Sequence, residues 1–137
     1  NSCKDEDVWS YEIELLKGDW KTEKTEIISG ADLTTALDTQ LPTTCSKQDV
    51  TTFRTDLAIN TRTYSPSGTA CAPTYSKGTF TYDADKKDMV INFENDKKRP
   101  YKVIILSSTE LKLKQMYDNI DINGDFVIDT TYISYKR

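Results

Sequence analysis

Between residues 75 and 113, apolar and polar positions alternate with a period of two, interrupted by short polar gaps. Phe80 and Tyr82 alternate with Thr79 and Thr81. Met89, Ile91 and Phe93 alternate with Val90 and Asn92. Val103 and Ile105 alternate with Lys102 and Ile104, and Leu111 and Leu113 with Lys112 and Lys114. A strand that buries one face requires this period, because successive side chains point to opposite sides. The gaps at 83–87 and 94–98 are short, charged and flexible, as hairpin loops are. The stretch therefore predicts an antiparallel meander. Its buried face is expected to carry Phe80, Tyr82, Met89, Ile91, Phe93, Val103, Ile105, Leu111 and Leu113.

The flanking chain extends the pattern with less grease. Residues 18–28 place Trp20, Thr22, Lys24 and Glu26 on one face of an expected strand, a reading that leans on β-propensity as well as alternation. Residues 29–44 are rich in threonine and predict a long loop with a helical turn near 33–37. Residues 45–56 and 57–64 read as strands. Residues 65–74, with Pro66, Pro73 and Gly68, read as a loop. Residues 109–117 and 125–136 read as the closing strands. Residues 8–16 fit either a short helix that plugs one end of the sheet or an early first strand. The count reaches about eight antiparallel strands in up-and-down order, and strands of this length remove their exposed edges by closing into a barrel. The predicted fold is all-β, with residues 17–137 as one barrel domain behind a tail of residues 1–16.

Composition narrows the function. The chain has 137 residues, enough for one domain with a real core. Hydrophobic residues make up 36%, which suits a thin-walled sheet with one wet face. A net charge of -4 without a basic patch argues against nucleic acid as a partner. The small basic cluster of Lys97, Lys98 and Arg99 sits in an expected turn, where a solvated role suffices. No apolar run is long enough for a membrane helix. There is no histidine, so the usual general base and the commonest metal ligand are both missing. A carboxylate pair placed by the fold is the remaining enzymatic option, and the sequence marks no such pair. A non-catalytic protein without a cofactor, acting as a monomer, is the expectation.

The order of features resembles the lipocalin-like domain common among Bacteroidetes lipoproteins. Gly18-Asp19-Trp20 looks like the Gly-x-Trp signature on a lipocalin's first strand. Cys45 precedes Asp49 and Phe53, Cys71 follows, residues 78–82 begin with Gly78, and the chain ends in Lys136-Arg137. The resemblance implies that Gly18, Trp20 and Arg137 close one barrel end, with Trp20 stacked on Arg137 or Lys136 through a cation–π contact. It also implies a small apolar or amphipathic ligand in the lumen.

The start of the chain adds a second resemblance. Cys3 followed by Lys4, Asp5, Glu6 and Asp7 is similar to the acylated cysteine of surface-exported lipoproteins. That implies an anchor to the bacterial outer membrane through lipid alone, with the domain on the cell surface. In an oxidising compartment Cys45 and Cys71 are then expected to form a disulfide. A pair of buried thiols is the alternative.

Two further patterns bear on function. Asp121, Asn123, Asp125 and Asp129 have the oxygen spacing of a calcium loop, but Phe126 and Tyr132 stand where such a loop needs glycine and a bidentate acid. An Asn123-Gly124 hairpin turn is the simpler expectation, with no metal. Eight tyrosines, most on or beside strands, suit either barrel packing or a lumen with phenol hydrogen bonds. The second functional expectation is a packed barrel that binds a protein or glycan through loops 29–44 and 65–74.

Overall fold

A computed structural model describes residues 2–137, with side-chain surroundings from Asp7 onward. Cys3 lies in a helix, but its side chain is outside the described residues.

Helix α1 (Ser2–Leu16) precedes nine strands. These are β1 (Gly18–Ile28), β2 (Ala36–Gln40), β3 (Val50–Phe53), β4 (Ala58–Ser67), β5 (Ala70–Asp83), β6 (Asp88–Phe93), β7 (Arg99–Leu106), β8 (Glu110–Gln115) and β9 (Thr130–Lys136). All pairings are antiparallel. The order runs β1-β3-β4-β5-β6-β7-β8-β9, and β9 returns to β1, so eight strands close a barrel.

β2 and β3 share one edge of β1. Gly18 to Trp20 pair with β3, and Thr25 to Ile28 pair with β2. The two are halves of one interrupted strand. Between Gln40 and Thr51 the chain takes eleven steps while β1 takes five, from Thr25 to Trp20. The excess forms the segment 41–49, with a 3-10 turn at Ser46–Gln48. A disulfide from Cys45 to Cys71 on β5, with a Cα separation of 5.4 Å, straps this segment to the barrel.

The core fills the end of the barrel next to α1. Ile13 and Leu16 of the helix are buried, one turn apart on one face. They cover Trp20, Phe53, Ile59, Phe80, Met89, Leu111 and Leu113, all nearly sealed from solvent. Phe53 and Phe80 meet edge to face at 5.2 Å. At Gly78, which pairs with Ile59 of β4 and Phe93 of β6, a Cβ would come within 2.3 Å of the Asn92 carbonyl. Only glycine allows the two backbones this approach.

Several expectations need correction. Residues 65–74 are not a loop: β4 and β5 continue to Ser67 and Ala70, and only Gly68 and Thr69 turn. Pro66 and Pro73 are tolerated because the hairpin has outrun β3 and β6, so each strand has an unpaired edge there. The expected helical turn near 33–37 is instead Leu33 at positive φ followed by β2. The last strand begins at Thr130, not 125, and 116–129 is a long loop rather than a hairpin. Two bulges re-aim side chains. One between Val103 and Ile105 leaves Ile105 on the outside, 39% exposed, and brings Leu106 against the core instead. The other, between Thr22 and Lys24, turns Thr25 rather than Lys24 inward.

Candidate functional site

The two ends of the barrel differ in chemistry. At the end closed by α1, Gly18 at φ +113° turns the chain from helix into β1. The Arg137 guanidinium lies 3.8 Å from the centre of the Trp20 ring. It donates to the carbonyls of Ser108 at 2.9 Å, Lys17 at 2.5 Å and Leu15. Two of these carbonyls belong to the last turn of α1 and the residue after it, which lack helical partners. The Trp20 indole N–H donates to Leu16 at 2.8 Å. Gly18, Trp20 and Arg137 thus meet at one point and weld the helix to the first and last strands. Lys136 pairs across β1 and β8 and takes no part in this contact. A second clasp is formed by Glu12, which accepts from the Tyr82 hydroxyl at 3.1 Å and from Lys87 at 2.9 Å.

The nine residues expected to line a lumen divide. Phe80, Tyr82, Met89, Ile91, Val103, Leu111 and Leu113 are buried in the packed core near the closed end. Phe93 is half-buried beside them, and Ile105 is outside. The structure brings seven of them together, but as packing, with Phe53, Ile59 and Leu16 filling the space between.

Toward the other end the inward register becomes polar. On β1 it holds Thr22 and Thr25, on β3 and β4 Thr51 and Thr61, and on β8 and β9 Gln115, Ile133 and Tyr135. A cavity of about 310 Å³ opens here, lined by Thr22, Thr25, Gln40, Leu41, Pro42, Ser46, Asp49, Ile133 and Tyr135. It lies where β1 passes from β3 to β2, so that residues 21–24 have no strand partner on that edge. The wall of the barrel is therefore open at this point. Beside it the Tyr101 and Tyr117 hydroxyls share a 3.1 Å hydrogen bond, and their rings stand edge to face at 5.6 Å. Burial pushes the phenols of Tyr101 and Tyr135 well above the usual tyrosine range. Both therefore stay protonated at neutral pH and can donate hydrogen bonds.

Thr22 is legible on the face of Trp20, Tyr135 on a strand and Gln40 in the 29–44 segment, but the sequence does not show that they converge with Thr25, Ser46 and Asp49. Threonine serves equally on a wet face, a lumen or an edge, so period-two alternation cannot place it. The signal was present in Thr22, Thr51 and Thr61, each two residues from Trp20, Phe53 or Ile59 and so on the same face.

The 116–129 loop at the open end is built on carboxylates. Asp121 accepts from the amides of Gly124 at 2.9 Å, Asp125 at 3.2 Å and Phe126 at 2.7 Å. Asp129, 2% exposed, accepts from Gly30 at 3.0 Å and Ile122 at 2.8 Å, tying this loop to the one after β1. The carboxylate oxygens of Asp121, Asp125 and Asp129 lie within 4.8 Å of one another. Backbone amides bond to at least one oxygen of each of these carboxylates, and the loop shape follows from them. Positive φ falls on Gly124 and Phe126 rather than on Asn123.

Comparison with known proteins agrees with this architecture. Residues 16–113 match the model of the lipocalin-like domain. No functionally curated protein matches the chain. Among solved structures, the bovine lipocalin allergen Bos d 2 aligns over 91% of this chain and 74% of its own, at 11% identity and a TM-score of 0.48. Odorant binding protein OBP1 aligns over 90% and 72%, at 9% identity and 0.47. Aphrodisin, a sex pheromone from female hamster, aligns over 89% and 74%, at 12% identity and 0.44. The closed eight-stranded barrel and the match over residues 16–113 together establish that this chain belongs to the lipocalin-like domain family.

Proposed function

We propose that this protein is a non-catalytic carrier of a small apolar or amphipathic molecule, held in the upper half of the barrel. The observation that carries this reading is the cavity of about 310 Å³ above the packed core. Its volume falls at the small end of ligand sites, and its lining mixes apolar surface with a few convergent hydroxyls, as such sites do. Burying roughly 200 Å² of apolar ligand surface yields about 5 kcal/mol before the costs of association, a weak to moderate affinity. Cys3 and the acidic run after it support a lipid anchor to a bacterial outer membrane, with the barrel facing outward. Palmitate labelling of the protein in its own host, lost on Cys3→Ala, is the expected result.

Mass spectrometry of small molecules extracted from protein purified from that host tests the carrier reading. A stoichiometric lipid or aromatic compound, absent from an unrelated control protein, is expected. An empty barrel that also ignores a broad ligand panel would refute it. One feature favours an interaction module instead: Phe126 is 98% exposed on the 116–129 loop, with Ile120, Ile122 and Ile128 also out in water. Binding of a partner that is lost on Phe126→Ser and kept on Thr25→Val would support that reading over the carrier.

A further inference from the structure

We propose that the gap in the barrel wall is the polar end of the ligand site, and that it selects a small amphiphile with an uncharged, hydrogen-bond-donating head over one with a carboxylate head. This rests on the carrier reading above and narrows its ligand. The gap exists because β1 hands its edge from β3 to β2 and leaves residues 21–24 unpaired there. Thr22 and Thr25 line the resulting cavity from β1, and Tyr135 from β9. Ile133 supplies apolar surface for the ligand's tail, and Gln40 and Asp49 flank the opening.

The charge of this cavity is set by the bulge after Thr22. Simple alternation would place Lys24 on the inward face. The bulge turns it outward, where it meets Glu26 at 3.4 Å. Asp49 is then the one charged side chain among the described residues that line the cavity. One oxygen of Asp49 accepts the Tyr64 amide at 2.7 Å, and the second remains for a donor. A hydroxyl head suits this surface: it donates to Asp49 and accepts from Tyr135 or Thr25. A carboxylate head would shed its hydration beside a like charge, with no cation in the lining to offset the loss. Arg99, in the inward register of β7 opposite Ile91, is committed to Asp96 at 3.0 Å and lies over the Tyr117 ring.

The test compares 1-octanol with octanoate, which share a tail and differ in the head. The intact, disulfide-bonded protein is titrated with each at about pH 8, where the acid is ionised, and the Ile133 methyl signals are followed by NMR. Octanol is expected to bind about tenfold more tightly than octanoate. Asp49→Asn keeps an acceptor for the Tyr64 amide but removes the charge, so the ratio should fall toward one. Thr25→Val should weaken octanol about threefold and leave octanoate unchanged. Octanoate binding as tight as octanol, or a ratio unmoved by Asp49→Asn, overturns the proposal while lumenal binding stands. Octanoate that binds well and is lost on Arg99→Leu overturns it too, by placing the head at the opposite rim. If neither compound moves the Ile133 methyls, the proposal is overturned, and the carrier reading falls with it only where the protein extracted from its host is also empty.

Discussion

The closed and open ends of this barrel solve opposite problems with the same strands. At the closed end every inward position is filled: Trp20 is fully buried, Phe53 and Phe80 interlock, and α1 lies across the opening. Even the residue after β9 is recruited, with Arg137 satisfying carbonyls at the end of the helix. At the open end the strands continue but the packing stops. Threonines and tyrosines take the inward positions, a wall strand is interrupted, and carboxylates rather than hydrophobic contacts hold the loops. The contrast shows which half of the barrel can tolerate a cavity. A cavity costs stability in proportion to the contacts it forgoes, and here the rigid half supplies the contacts that the other half lacks.

Substitutions that break this contrast should differ sharply in size. Trp20→Ala empties the most buried large side chain and should cost about 3–5 kcal/mol in urea unfolding, whereas Thr25→Val at the cavity should change stability by less than about 0.5 kcal/mol. If the two proved similar, the division into a packed and an open half would be wrong. Replacing Cys45 and Cys71 together by serine should cost about 3 kcal/mol, from a bridge that spans 26 residues of sequence. Ligand affinity should fall in the same variant, because the strap that defines the wall gap is released.

Arg137→Gln should cost about 1 kcal/mol. It should also free the C-terminal turn of α1, seen as faster hydrogen exchange at Lys17, whose amide bonds to Ile13. Equal exchange in the variant would mean that the ring contact with Trp20, not the carbonyl bonds, is what Arg137 contributes. The smallest effect concerns pH. The Thr35 hydroxyl, with the Thr35 and Thr34 amides, holds Asp32 below the usual aspartate range, at about 2. A depressed acid adds stability above its unfolded value and loses it as pH falls through the folded one. The Thr34 and Thr35 amide signals should therefore shift with a midpoint near pH 2. A midpoint near the ordinary aspartate value would show that these hydrogen bonds do not form in solution.

How much could be read without coordinates follows the same divide. The meander was legible because Phe80, Tyr82, Met89 and Ile91 bury one face of paired strands, and burial writes a period of two into the sequence. Ile105 was misplaced because a bulge is a property of strand pairing: Val103, Ile104 and Ile105 look alike locally, and nothing in them says which residue is skipped. β2 was hidden because Ala36–Gln40 has little grease and is one half of an interrupted strand. The cavity was illegible for a related reason. Thr22 and Thr25 flank a bulge, and their convergence with Tyr135 arises only when the last strand closes on the first. Pro66 and Pro73 misled because their usual message, a break in pairing, does not hold on a hairpin that has outgrown its neighbours.

The interrupted strand has a further consequence for how this barrel can vary. Circumference and stagger are fixed toward the closed end, where β1 pairs with β3 over Gly18 to Trp20 and with β9 from Lys21 onward. Residues 41–49 carry no ladder that another strand depends on. Insertions or deletions in that segment can therefore widen, narrow or re-line the side opening without shifting the register of any strand. The aperture is a separable part of the frame, and sequence change there can alter it while the folding determinants of the closed end stay untouched.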